Sequence, residues 1–342
     1  MKVLVTGGCG FIGSWVCGYY VGKGDEVVSY DNMTKNELIR TGYNTERARD
    51  YNWNYLKSIG VQLVKADVRN KQELFEHAKD CNFIAHTAAQ PAVTISIEDP
   101  ELDFSTNVAG TVNVLEAARK FNIPVVSCAT IHVYGNALNN ELKEDKSRYI
   151  RTPAEIDESY PTLGGMLTPL HASKASADIY VRMYIDTYKI KAASFRLTGL
   201  YGPRQLGGED HGWVANFCIR ALLGIPVTIY GTGKQVRDIL YAGDLVKAFD
   251  SFYRNPVSGI YNVGGGRQNM ISLIECIGII EKIIGKKIDV KFAPDRFGDL
   301  RYFVCDIAKA GRELNWSPKV KPDEGVKNLI NWVNDNIGLF KV

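Results

Sequence analysis

The chain has 342 residues, 45% of them hydrophobic, and a net charge of +3. That length supports a large core, with one large and one smaller domain expected, and the even spread of charge argues against nucleic-acid binding. No apolar run approaches the ~18 residues of a membrane span, and the seven cysteines lack CxxC spacing, so free thiols, no metal centre and a cytoplasmic setting without a secretory leader are expected.

Residues 2–6 form a short apolar run that reads as a buried parallel strand. It breaks into Gly7, Gly8, Gly10 and Gly13, with Phe11 and Ile12 between them, and helical spacing follows from Ser14. A strand that turns sharply into a helix leaves the helix N-terminus bare. Glycines let the backbone approach a pyrophosphate, and the free N–H groups and the helix dipole neutralise it. A second apolar run at 26–30 ends in Asp31 and Asn32. A carboxylate there accepts both adenosine ribose hydroxyls and repels a 2′-phosphate, so the expected cofactor is NAD rather than NADP.

Further strand-like runs at 61–65, 82–86 and 123–128 alternate with amphipathic helices, the pattern of a parallel sheet covered on both faces. Ligands bind such sheets at the carboxyl ends of the strands. The polar and small residues sit there: Asp67 and Val68, Ala88 and Gln90, Ala129 and Thr130. After residue 200 the pattern changes to shorter elements separated by loops rich in Gly and Arg. The expected fold is α/β, a Rossmann-type doubly wound parallel sheet over residues 1–200. A smaller C-terminal α/β substrate-binding lobe is expected over 201–342, with strands near 238–265 returning to the main sheet.

Four segments together resemble the extended short-chain dehydrogenases that act on nucleotide sugars: GGCGFIG at 7–13, NVAGTVNVLEAA at 107–118, Phe195-Arg196 followed by YGPR at 201–204, and GTGKQVRD at 231–238. The likeness runs down to RELNWSP at 312–318. Within the family, GKQVRD and GGEDHGWV at 207–214 are most similar to CDP-paratose (CDP-tyvelose) 2-epimerases. The resemblance implies bound NAD, transient oxidation of a sugar hydroxyl and return of the hydride to the other face. It also implies a catalytic set of Ser or Thr, Tyr, and a Lys four residues after the Tyr, the Lys also holding the nicotinamide ribose.

That set is not intact. The hydroxyl position maps to Thr130 and the lysine to Lys174, but the Tyr position is Leu170. A positioned acid–base group contributes ~10²–10⁴ in rate, and an aliphatic side chain cannot supply it. Three readings stay open. His171 could substitute, since 171 and 174 share a helix face, although one residue turns the side chain by about 100°. Thr130 and Lys174 could act alone, or with His132 taking the proton, and one dehydratase branch of the superfamily also dispenses with the Tyr. Finally, the chain could bind NAD and a nucleotide-diphosphate sugar yet turn over slowly or not at all. A surface position on the helix is the bland alternative for His171. The acidic pair that family dehydratases carry beside the Thr is missing, so epimerisation leads and a non-standard dehydratase is second.

On the substrate side, Arg237 and Arg296 match the family arginines that grip the sugar diphosphate, and Arg301 is a third candidate; the guanidinium fork suits phosphate oxygens. Trp213 and Phe217 are candidates to pack on base or sugar, and Asn216 to bond the base edge. Asn107 reads as a structural tie. The resemblance also implies a homodimer through helices beginning near Asp103 and Pro169.

Overall fold

The computed structural model of the chain describes residues 1–36, 38 and 41–341. Seven strands, β1 (Lys2–Thr6), β2 (Glu26–Asp31), β3 (Gln62–Lys65), β4 (Phe83–His86), β5 (Val125–Thr130), β6 (Ala192–Leu197) and β7 (Gly259–Val263), form one sheet in the order β7-β6-β5-β4-β1-β2-β3. Every neighbouring pair is parallel. Val3, Leu4 and Val5 are fully buried, which is why β1 reads as an unbroken apolar run: a parallel strand is covered on both faces. The strand order reverses between β1 and β4, the place where such sheets take a ligand.

Four helices position the site. α1 (Phe11–Gly22) follows β1 directly. α2 (Gly110–Phe121) continues a π-turn at Ser105–Ala109, a widening often found at functional sites. α3 (Pro169–Tyr188) starts with proline, whose missing N–H is not needed there, and ends at Lys189 in the left-handed region, φ 56°. α4 (Trp213–Leu223) is bounded by Gly212 and Gly224, both left-handed. The π-turn places Asn107 at a junction. Its Nδ2 donates to the Gln90 carbonyl at 3.1 Å, Asp103 Oδ1 at 3.0 Å and Ser173 Oγ at 3.1 Å, tying the loop after β4 to α3. It is the structural tie its place in the sequence indicated.

β7 joins the main sheet, but Leu240–Tyr241 pairs instead with Leu200–Tyr201 in a separate two-stranded ladder. The first core does not stop at residue 200. Leu245, Phe249, Phe252, Ala310 and Trp316 pack into it with Val3, Phe83 and Phe195. A second core gathers α4 with the helices Leu273–Ile284 and Pro322–Asp335 over the Val227–Tyr230 strand. All seven cysteines are free. Among the described residues no helix is long and apolar enough to cross a membrane.

Candidate active site

A cavity of about 860 Å³ opens at the carboxyl ends of β1, β4 and β5 and runs across to the second core. At its first end Gly7 turns the chain with φ +68°, and a Cβ there would stand 2.6 Å from the Ala88 nitrogen. A Cβ at Gly13 would stand 2.1 Å from the Gly7 oxygen. Strand, loop and helix therefore close up only around glycine. Gly10 differs: a Cβ there would meet only the Gly7 oxygen, at 3.1 Å, and otherwise enter the cavity. α1 begins with no side-chain cap and no acid in its first turn, so its free N–H donors and positive dipole end are left to a ligand. Phe11 and Ile12 line the same wall.

At the end of β2, Asp31 is held by two backbone donors, Oδ2 by the Cys9 N–H at 2.9 Å and Oδ1 by the Met33 N–H at 2.8 Å. Asn32, Val68 and Ala88 line the cavity beside it; Asp67 does not. Burial opposes ionisation of Asp67, but hydrogen bonds from Arg69 and Asn32 outweigh it and hold the carboxyl at about 2. Oδ2 accepts from Arg69 Nη2 at 2.7 Å and Asn32 Nδ2 at 2.9 Å, and Oδ1 from the Arg69 N–H and Nε at 2.9 Å, so it orients Asn32 rather than reaching into the cavity. Gln90 lines the cavity, yet its carboxamide is committed to Ala92 and Asp103.

Midway along, Thr130 ends β5, and its Oγ1 accepts the His132 N–H at 3.3 Å. Leu170, His171 and Lys174 face the same space from α3. Burial lowers the Lys174 ammonium from its ordinary range, against the opposing pull of Cys128 and Asp103. Burial also holds His132 down at about 3, with His171 and Arg237 pushing the same way. His171 is no surface residue. It is 2% exposed, burial lowers its pKa, and its Nδ1 accepts the Thr168 N–H at 3.0 Å, capping α3. The two imidazoles meet edge to face with centroids 5.2 Å apart.

At the far end Arg237 donates to the Val236 carbonyl at 2.8 Å and to the Leu300 carbonyl. Arg296 lies 4.0 Å over the Tyr230 ring and 3.4 Å from Asp210 Oδ1. Trp213 packs edge-on to Phe217 at 5.6 Å, and Phe217 belongs to the second core. Asn216 lines the cavity as a buried residue with Oδ1 unpartnered. Arg301 is not brought to the cavity; its guanidinium pairs with Asp295 at 2.7 Å on the surface. Among the described residues no three His, Cys, Asp or Glu side chains are grouped to hold a metal.

The model of the NAD dependent epimerase/dehydratase family matches residues 3–264. The chain belongs to that family. It is 35% identical to the CDP-paratose 2-epimerase of Salmonella typhi, over 98% of this chain and 99% of that one. It is 32% identical to a putative UDP-glucose 4-epimerase of Methanocaldococcus jannaschii, over 98% and 99%. Among solved structures, the Thermus thermophilus UDP-glucose 4-epimerase in complex with NAD superposes with a TM-score of 0.78 at 32% identity, covering 98% of this chain and 99% of that one. The Bacillus cereus UDP-glucuronic acid 4-epimerase, in complex with UDP-glucuronic acid and NAD, gives a TM-score of 0.82 at 25% identity, covering 98% and 100%.

As a family member this is an NAD-dependent enzyme of the nucleotide-sugar epimerase/dehydratase kind. Of the candidate catalytic, cofactor-binding and substrate-binding residues read from the sequence, all but Gly8, Asp67 and Arg301 line this cavity. Sequence reasoning passed over two cations there. Lys35, 8% exposed, donates to the Cys9 carbonyl at 3.2 Å. Arg204 is clasped between the Trp15 and Tyr55 rings at 4.4 and 4.5 Å. Arg204 stood in the quoted YGPR turn and was readable; nothing local marks Lys35.

Proposed function

We propose that this enzyme epimerises a nucleotide-diphosphate sugar by transient oxidation of a sugar hydroxyl, with Lys174 and Thr130 handling the proton that a tyrosine handles elsewhere in the family. The observation that carries this reading is a single cavity with the glycine cradle and Asp31 at one end and Arg237 and Arg296 at the other. Thr130, Lys174, His132 and His171 stand between them.

The cradle fits NAD. The bare start of α1 and the open side of Gly10 receive a pyrophosphate, Asp31 and Asn32 the adenosine ribose, and Val68 the adenine. Ala88 is small enough to let the diphosphate pass, and Lys174 takes the nicotinamide ribose. Bound NAD supplies the acceptor for a carbinol hydrogen and gives that hydrogen back. The remaining work falls to side chains. Leu170, 4% exposed, forms an apolar wall where a phenol would stand. His171 cannot accept a proton at Nδ1 without releasing the helix cap. Lys174, lowered by burial, is the base that lines the cavity with Thr130, and the Thr130 hydroxyl passes the sugar proton to it and back.

Arg237 is held by two carbonyls, so its fork is set before a diphosphate arrives. Arg296 exchanges Asp210 for phosphate oxygens. Trp213 and Asn216 take the sugar or base. No acidic side chain follows Thr130, where Ile131 is buried and His132 comes next, and this favours epimerisation over dehydration.

The test is incubation with CDP-, GDP-, UDP- and dTDP-sugars in deuterated water. Epimer formation without solvent label is expected. Label at C5 with loss of water would make the enzyme a dehydratase, and tight NAD binding without any product would leave a binding protein.

The homodimer is proposed on a second observation. Phe104, 59% exposed, and Ile179, 57% exposed, lie on the helices Pro100–Phe104 and α3, a pair of large apolar side chains that a second copy would cover. A sedimentation mass of one chain at micromolar concentration would remove this proposal.

A further inference from the structure

Arg204 is a half-buried cation without an anion. Its guanidinium is clasped between the rings of Trp15 and Tyr55, 4.4 and 4.5 Å from their centroids. Among the described residues it makes no ion pair; burial lowers its pKa, and only Tyr55, Tyr51, Tyr241 and Cys17 pull the other way. Its backbone stands at φ +70°, in the left-handed region that residues other than glycine rarely enter. Such a conformation persists where the surroundings over-determine it, and that is characteristic of ligand clamps. Here the Trp15 Nε1–H donates to the Pro203 carbonyl at 2.8 Å, and Asn52 Nδ2 donates to the Arg204 carbonyl at 3.4 Å.

The same contacts bring the guanidinium to the start of α1. Its Nε donates at 3.3 Å to Ser14 Oγ, on the fourth residue of that helix. Asn52 Nδ2 also donates to the Gly10 carbonyl at 3.4 Å, so one amide joins the Arg204 backbone to the glycine loop. Nη1 and Nη2 make no hydrogen bond among the described residues and are not sealed off, and Arg204 lines the cavity with Gly10, Phe11 and Ile12. Lys35 differs, since its ammonium already serves the Cys9 carbonyl. A planar fork held between two rings, with both outer nitrogens unspent, is a pre-formed site for the oxygens of a phosphate. Arg204 also comes from outside the main sheet. It lies between the Leu200–Tyr201 strand and α4, on the loop that carries Asp210, the partner of Arg296.

Resting on the reading that the glycine cradle holds NAD, we propose that Arg204 is a side-chain ligand of the NAD pyrophosphate, and that through it the bound cofactor anchors the loop 202–212 at the sugar end. The bare N–H groups of α1 carry only partial charges. A pyrophosphate brings two full negative charges, and Arg204 is the cation beside those N–H groups whose outer nitrogens are free to meet them. The ring clasp fixes the fork before the ligand arrives, so little side-chain freedom is lost on binding. The loop that carries the fork is then held at one end by the cofactor, while Asp210 and Arg296 stand at its other end where the sugar diphosphate enters. Two ligands that order one loop favour each other's binding by the same factor.

The test separates the phosphates from the rest of the cofactor. The full-length protein, freed of NAD, is titrated by calorimetry with NAD, ADP-ribose and adenosine. In Arg204→Met, whose side chain still fills the space between the rings, NAD and ADP-ribose should bind about 30-fold more weakly, the scale of a charge-assisted fork. Adenosine, which has no phosphate, should bind as it does to the native protein, and the melting temperature of the NAD-free variant should not fall. Arg204→Lys, which keeps the charge and loses the fork, should recover part of the loss. NAD should slow amide exchange across 202–212 in the native protein and not in Arg204→Met. Equal weakening of adenosine and ADP-ribose, or an ADP-ribose affinity unchanged in Arg204→Met, overturns the assignment. Exchange across 202–212 that ignores NAD in the native protein overturns the anchoring. Native protein that binds neither NAD nor ADP-ribose would take the cradle reading down as well, whereas native binding with an indifferent Met variant sinks Arg204 alone.

Discussion

The two ends of the cavity are built from different materials. The cofactor end is backbone: a left-handed Gly7, a Gly13 that tolerates no Cβ, and the uncapped start of α1. The reaction centre is side chain, assembled from the end of β5, the turn after it and the first two turns of α3. Backbone geometry is dictated by steric rules that leave one residue type permitted. Side-chain chemistry depends on which atom of an imidazole or amine is already occupied. A family can therefore keep the first end while the second is rebuilt, and in the reading proposed above Leu170 marks that rebuilding.

The largest effect should come from the side-chain end. Lys174→Met removes the proposed base, and turnover should fall about 1,000-fold, within the usual span for a positioned acid–base group. NAD should still copurify, since the glycine cradle is untouched. Loss of less than about 10-fold would mean the proton goes elsewhere, with His132 the remaining group beside Thr130.

Gly13→Ala attacks the other end. The new methyl would sit 2.1 Å from the Gly7 oxygen and 2.6 Å from the Gly8 Cα, both backbone, so the loop must open. Overpacking of this kind costs ~1–3 kcal/mol, and NAD affinity measured by calorimetry should weaken by up to about 100-fold. Gly10→Ala should also weaken NAD, but with unchanged melting of the NAD-free protein, because its methyl enters the cavity instead of the fold. Equal destabilisation by both variants would deny that the two glycines serve different purposes.

Leu170→Tyr asks whether the centre is rebuilt or merely damaged. If Lys174, Thr130 and the histidines form a working set, a phenol at 170 adds nothing, and turnover should change by less than about 10-fold in either direction. A gain of 100-fold would show a family site that lost its tyrosine and kept the rest idle.

The same contrast explains what the sequence disclosed. Five of the main strands, the glycine loop and Asp31 were legible because apolar runs and steric demands act locally. The return of Leu245, Phe249 and Trp316 to the first core was not, since only the neighbouring sheet explains their burial. Asp67 and Gln90 stand just past the ends of β3 and β4, yet their polar atoms are taken by Arg69, Asn32, Ala92 and Asp103. His171 was legible as a helix residue beside Lys174. That its Nδ1 caps the helix depends on Thr168 at the turn before it, a contact visible only once the cap is formed.

The smallest effect is in pH-dependent stability, and it separates two histidines. His86 near the cofactor end is held at about 3 by burial, with Lys174 adding to the shift, and both its nitrogens are engaged, by Thr6 Oγ1 at 2.7 Å and Thr111 Oγ1 at 3.0 Å. His132 is also near 3, but its Nδ1 has no partner. An unfolded histidine takes its proton near 6.5. Between pH 6.5 and 3 the unfolded chain therefore binds more protons, and each group's contribution, complete above pH 6.5, is lost as pH falls, by up to about 1.4 kcal/mol per pH unit. Asp238, raised to about 6 by burial, works in the opposite direction, losing its contribution as pH rises through 6. Comparing variants that keep Asp238 removes that opposing slope. His132→Asn should reduce the stability lost between pH 6.5 and 5.5 by about 1 kcal/mol while leaving urea stability at pH 8 nearly unchanged, since no hydrogen bond to Nδ1 is given up. His86→Asn should flatten the same slope but also lower stability at pH 8 by ~1–3 kcal/mol, because buried hydroxyls lose their partner. Equal losses at pH 8 would mean that His132 is as firmly bonded as His86.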